Sequence, residues 1–158
     1  MKPSNQRGIK AISLTALIIG ALYLAFVYIR TIGILWTAGP GYRIVWNEAR
    51  MGWQIAVLAG YVLGWTAVFI TCLLIEVNIL KGLKSGDIFP RKNTSLIMLT
   101  ATLVCVALFF DSNVSDVVKG VEVSTLNSNC IFIPLIIIVF GLLYKQASLA
   151  MEDSNLAI

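Results

Sequence analysis

The chain has 158 residues, 58% of them apolar and 13% charged, with a mean hydropathy of +0.86. Water-soluble domains carry about 25% charged residues, and apolar runs this long find no room in the core of a soluble fold of this size, so lipid is the solvent they imply. The net charge of +4 comes without any Lys/Arg cluster that would grip nucleic acid directly, and the lack of histidine removes His-ligated haem, HExxH zinc chemistry and His-based triads. The cysteines Cys72, Cys105 and Cys130 have no CxxC spacing, fall in or at the edge of apolar runs, and read as small packing hydrophobes.

Residues 1–10 are polar and carry Lys2, Arg7 and Lys10; residues 11–29 then run without a charge. A signal peptide starts in a similar way, but its apolar region is only about 7–15 residues long. This run continues past Arg30 to Trp36, so the spacing predicts an uncleaved first span over 11–35, with Arg30 snorkelling to the far interface. The first connection contains Gly39, Pro40 and Gly41, which break any helix, and Trp36, Tyr42, Trp46 and Trp53, which suit an interfacial aromatic belt. Its second half, YRIVWNEARMGW, is open to two readings, a short interfacial helix or a plain loop.

A second span is predicted over 54–80, with Gly60 and Gly64 as a GxxxG step that lets two helices approach closely, here within one chain. Glu76 and Asn78 are its polar residues. An ionisable group inside a membrane points to function, yet Glu76 lies close to Lys81. A solvated or Lys/Arg-paired carboxylate and an ion or proton pathway are therefore both carried forward.

The connection at 81–94 is basic: Lys81, Lys84, Arg91 and Lys92 face a single Asp87. Gly86 with Asp87 signals a turn, Pro90 stops any helix before it, and Asn93, Thr94 and Ser95 offer N-cap side chains. A third span over 95–111 is short and is closed by Asp111. The connection after it is acidic, with Asp111, Asp116 and Glu122 against Lys119, and its residues 117–123 are β-prone enough to pair with the first loop as a small cap. A fourth span over 129–150 carries Pro134 near its start, where the missing N–H costs least, and a polar, helix-compatible tail follows Lys145 with Glu152 and Asp153.

The fold class expected is therefore all-α: a single membrane domain over 1–158, a four-helix transmembrane bundle with both termini on one side. That side holds Lys2, Arg7, Lys10, Lys81, Lys84, Arg91, Lys92 and Lys145; Arg30, Arg43, Arg50 and Lys119 fall on the other. By the positive-inside rule the termini and the basic loop are cytoplasmic, in a multi-pass protein of the cell membrane.

The loop into the third span, Gly86-Asp87-Ile88-Phe89-Pro90 followed by Lys92 and Asn93, and the stretch from Gly141-Leu142-Leu143-Tyr144 to the acidic tail ending Leu156-Ala157-Ile158, resemble the bacterial DUF2975 family of four-span membrane proteins. Asn155 and Ala157 depart from the Asp-Leu-Thr-Ile type of ending common there. The resemblance implies, by gene association, a membrane protein paired with a cytoplasmic helix-turn-helix transcription regulator.

Three functions compete. In the first, the basic loop (Lys81, Lys84, Asp87, Phe89, Pro90, Arg91, Lys92) and the acidic tail (Glu152, Asp153) dock that regulator and hold it from its operator. In the second, the chain is a small transporter or channel subunit using Glu76 and Asn78. The third, a membrane enzyme built on Asp111, Asp116 and Glu122, has no His partner and no metal-ligand spacing, so a solvated acidic loop is the expectation there, with no enzyme activity and no cofactor. The bilayer is the expected partner in every case, no direct nucleic-acid contact is expected, and a homo-oligomer stays open.

Overall fold

Between its connections the chain carries little that interrupts helical hydrogen bonding, Pro134 being the exception, and among the described residues those stretches are helical. In the computed structural model, residues 3–36, 43–85, 89–121 and 126–156 are described, those at 3–5, 85 and 154–156 by backbone alone. The helices are α1 (Pro3–Trp36), α2 (Met51–Ser85), α3 (Lys92–Val118) and α4 (Asn129–Leu156), with a 3-10 turn (Glu48–Arg50) leading directly into α2. Their 34, 35, 27 and 28 residues exceed the roughly 20 that cross a bilayer. Only 11–28% of their most apolar stretches is buried inside the protein. An apolar surface that large and continuous has no stable arrangement in water. All four helices are long and apolar enough to cross a membrane, the make-up of a multi-pass membrane protein.

Neighbouring helices run antiparallel, as the residues that meet along them show. Gly20 faces Phe69, Tyr28 bonds Thr66, and Arg30 bonds Tyr61, so α1 ascends as α2 descends. Gly60 meets Phe110, Gly64 meets Ala107, Thr71 meets Thr100 and Asn78 meets Asn93 down α2 and α3. Gly141 meets Ile97 and Met98, and Tyr144 meets Asn93, down α3 and α4. The packing follows chain order: α2 on α3 most extensively, then α3 on α4, with α1 leaning chiefly on α2. Gly64 explains the tight α2–α3 seam. A Cβ there would come within 3.1 Å of the Ala107 backbone, so the GxxxG step is used inside the monomer.

A smaller buried cluster of Val68, Val104 and Ala107 lies along the α2–α3 seam; the larger one sits at the end of the molecule away from the 81–92 loop. It joins Val27 and Ile34 of α1, Val57, Leu58 and Tyr61 of α2, Val114 and Val117 of α3, and Ile44 of the first connection. The first connection is tied down there by its backbone: Ile44 N–H donates to Ile34 O (3.1 Å) and Val45 N–H to Val118 O (3.0 Å). Gln54, 3% exposed, donates to Val45 O (2.8 Å) and Val117 O (3.0 Å) and accepts from Asn47 N–H (3.0 Å). Gly120 turns the chain at φ +70°, a conformation that favours glycine.

Four local expectations change. The third helix does not end at Asp111 but continues to Val118, because Asp111 is paired inside the protein (below) and gives the chain no reason to leave the helix. The stretch 117–118 is the last turn of that helix, and no strand occurs among the described residues; Val45 meets its terminal carbonyl, while residues 122–123 lie outside the description. In the first connection, residues 44–47 are extended and only Glu48–Arg50 turn, capped by the Asn47 side chain accepting from Ala49 N–H (3.1 Å). This matches neither a separate interfacial helix nor a wholly irregular loop. Finally, α3 starts at Lys92 without a side-chain cap bond, and Asn93 turns inward instead.

Candidate functional site

Helix geometry sorts the polar residues into two levels. Counting about 1.5 Å per residue, Arg30 stands about 30 Å from Lys10, Tyr61 about 30 Å from Lys81 and Asp111 about 29 Å from Lys92. That separation matches the hydrocarbon thickness of a bilayer. One polar cluster lies at the basic end and one at the far end.

At the far end, Arg30 Nη1 donates to Asp111 Oδ1 (3.1 Å) and to the Tyr61 hydroxyl (3.4 Å), and its guanidinium lies 5.5 Å from the Tyr61 ring centre. The two charged side chains keep 33% and 25% of their surface exposed, so this pair is half-solvated rather than sealed. Arg30 thus meets Tyr61 and Asp111 at the far end while keeping a third of its side chain exposed. Asp111 also borders a recess of about 210 Å³, half polar and half apolar, with Leu108, Ser112, Asn127, Asn129 and Cys130. Asp116 is half-buried and Glu122 lies outside the described residues. No group of three or more His, Cys, Asp or Glu residues suited to a metal ion occurs among the described residues.

At mid-depth the polar groups satisfy one another. The Thr100 hydroxyl is 3.0 Å from Thr71 Oγ1 and 2.8 Å from Leu96 O, and Thr71 donates to Val68 O (2.8 Å).

At the basic end, Asn93 is fully buried and joins three helices. Its Oδ1 accepts from Asn78 Nδ2 (2.8 Å), and its Nδ2 donates to Ile75 O (3.3 Å) and the Tyr144 hydroxyl (3.2 Å). Tyr144 in turn donates to Pro90 O (3.4 Å) and takes the Phe89 ring edge-on at 5.4 Å. Thus Phe89 and the buried Pro90 anchor the loop on α4, while Lys81, Lys84, Arg91 and Lys92 are exposed around that anchor. Glu152 and Asp153, on the part of α4 that runs past Lys145, are exposed as well, and Arg91 Nη1 lies 3.8 Å from Glu152 Oε2. With 75% and 54% of their side chains exposed, the two contribute less than about 1 kcal/mol. They mark where loop and tail meet. Asp87 lies outside the described residues.

The two intramembrane candidates part company. Asn78 faces α3 through Asn93, whereas Glu76 lines an apolar trough of about 560 Å³ between α1 and α2. Asn93, Arg30, Tyr61 and Gln54 carry most of the tertiary polar contacts, and sequence reasoning gave none of them that role. The available signal was depth: Arg30 and Asp111 stand at one level when counted from Lys10 and Lys92, the basic residues that open their helices. Comparison of the chain with protein-family models, with curated proteins and with solved structures finds no match.

Proposed function

We propose that this is a non-enzymatic docking protein of the bacterial cell membrane, with both termini and the basic loop in the cytoplasm, and that its basic end holds a cytoplasmic helix-turn-helix transcription regulator away from its operator. The observation that carries the reading is the joining of loop and tail into one surface, with Arg91 beside Glu152 and Phe89 and Pro90 seated on Tyr144. Exposed cations and exposed carboxylates stand at neighbouring helix ends, a surface suited to selecting a partner by charge pattern. α4 continues about 16 Å beyond Lys145 as helix, longer than a crossing alone requires. The excess of Lys and Arg at this end supports the cytoplasmic orientation. The likeness of residues 86–93 and of the tail to the DUF2975 family supports the class of partner.

Affinity purification from native membranes tests the reading. The regulator co-purifies with the wild-type chain and is lost with the double variant Arg91→Glu, Lys92→Glu, while the variant protein still reaches the membrane. Absence of the regulator from the wild-type eluate, together with unchanged target transcripts on deletion of this chain, overturns the proposal. A transporter or channel subunit is the second reading, favoured by one observation: Glu76 Oε2 is buried without a partner among the described residues. Ion flux into proteoliposomes that disappears in Glu76→Gln supports it.

A further inference from the structure

The trough between α1 and α2 is walled by Leu17, Gly20 and Tyr23 on one side and by Trp65, Cys72 and Glu76 on the other. Nearly all of its surface is apolar, yet two buried polar atoms on its lining residues lack partners among the described residues: Trp65 Nε1, a donor, and Glu76 Oε2, an acceptor. Trp65 and Glu76 are eleven positions apart, about three full turns, so they share one face of α2 with about 16 Å between them along the axis. Counted from Lys81, Glu76 lies about 8 Å inward and Trp65 about 24 Å inward, so the trough occupies the hydrocarbon depth from near the basic interface to beyond the midplane. α1 packs chiefly on α2, and Ile19, which lines the trough, is 61% exposed, so the trough opens to the outside of the bundle.

Glu76 is half-buried as a residue, but its Oε2 is buried without a donor at a depth where the surroundings are hydrocarbon, which is costly unless a donor arrives. Among the described residues no lysine or arginine supplies one: neither ion pair recorded there includes Glu76. An ordinary acyl chain would fill the volume but leave both polar atoms as they are. A ligand with an ammonium group at one end and an apolar body satisfies Glu76 by charge and by N–H donation, and its body fills the apolar volume toward Trp65. Tyr23, edge-on to Trp65 at 4.9 Å, adds aromatic surface to the same wall. We propose that the α1–α2 trough is a binding site for a lipophilic organic amine, entered from the membrane, with the protonated amine on Glu76 and the apolar body lying toward Trp65. The site is independent of the docking surface, which lies on the loop and on α4.

Photolabelling of the purified protein in phosphatidylcholine nanodiscs tests this. The probe is a diazirine-bearing dodecylamine, and its neutral match is the corresponding diazirine-bearing dodecanol. The amine is expected to label peptides covering residues 16–24 and 65–76 about tenfold more than the alcohol does, and Glu76→Gln is expected to bring the amine down to the level of the alcohol. Trp65→Phe, which keeps an aromatic ring and removes the N–H, is expected to leave the preference for the amine intact. Equal labelling by amine and alcohol on the wild-type chain means the trough holds lipid chains only, and overturns the proposal whether or not any variant folds. Undiminished amine labelling of a folded Glu76→Gln protein overturns it as well.

Discussion

Asn93 uses both halves of its amide between helices, accepting from Asn78 and donating to Ile75 O and Tyr144. Truncation to alanine removes a partner from three groups, of which the Asn78 amide loses its acceptor while the Tyr144 hydroxyl keeps Pro90 O. Membrane hydrogen bonds average well under 1 kcal/mol each, but their orphaned partners add to that. Asn93→Ala is therefore expected to lower stability by about 1–3 kcal/mol in SDS-titration unfolding. Thr102→Ala, which removes only an exposed hydroxyl 3.4 Å from its own helix backbone, is expected to change it by less than about 0.5 kcal/mol. The far-end pair behaves differently because it is half-solvated. Arg30→Met and Asp111→Asn each strand a charge, and the double variant strands none. A double-mutant cycle is expected to return about 1–2 kcal/mol of coupling, with the double variant less destabilised than the sum of the singles. Strictly additive losses would mean that the pair carries no coupling.

At the scale of the helix, the α2–α3 seam depends on two glycines that differ in kind. The obstacle opposite Gly60 is the Phe110 ring, a side chain that can rotate, whereas the obstacle opposite Gly64 includes the Ala107 backbone, which cannot. Gly64→Val is expected to cost about 1–3 kcal/mol and to exceed Gly60→Ala, while Gly52→Ala, with open space at its Cβ, is expected to be neutral or slightly stabilising. Thermal unfolding in detergent separates the three. The existence of four long helices was legible because length and continuous hydropathy are local properties, and the GxxxG step was legible because its spacing is local too. The end of α3 was not. Asp111 reads as a signal for water until its partner is known, and that partner lies 81 positions away on α1. Asn93 misled in the same way: beside Pro90 it looks like an N-cap residue, and only the approach of Asn78 and Tyr144 shows what its amide is for. Of the docking residues, the cations and Glu152 could be named from the sequence, but not the division between those that anchor the loop (Phe89, Pro90) and those left exposed, since Tyr144 enters the loop from 54 positions beyond Pro90.

In the whole molecule, two polar levels stand about 30 Å apart, the thickness of a bilayer's hydrocarbon. The proposed docking surface requires in addition that the Lys81–Lys84–Arg91–Lys92 end face the cytoplasm, the direction its excess of Lys and Arg favours. The docking proposal needs that direction, while the amine site needs only the bilayer. Position-specific labelling addresses both. On a background with Cys72, Cys105 and Cys130 replaced by alanine, Lys84→Cys and Val121→Cys present exposed thiols at opposite ends. A membrane-impermeant maleimide applied to intact cells is predicted to label Val121→Cys at once and Lys84→Cys only after permeabilisation, with both proteins remaining in the membrane pellet after alkaline carbonate. The reverse pattern, labelling of both sites in intact cells, or release of the chain by carbonate contradicts it.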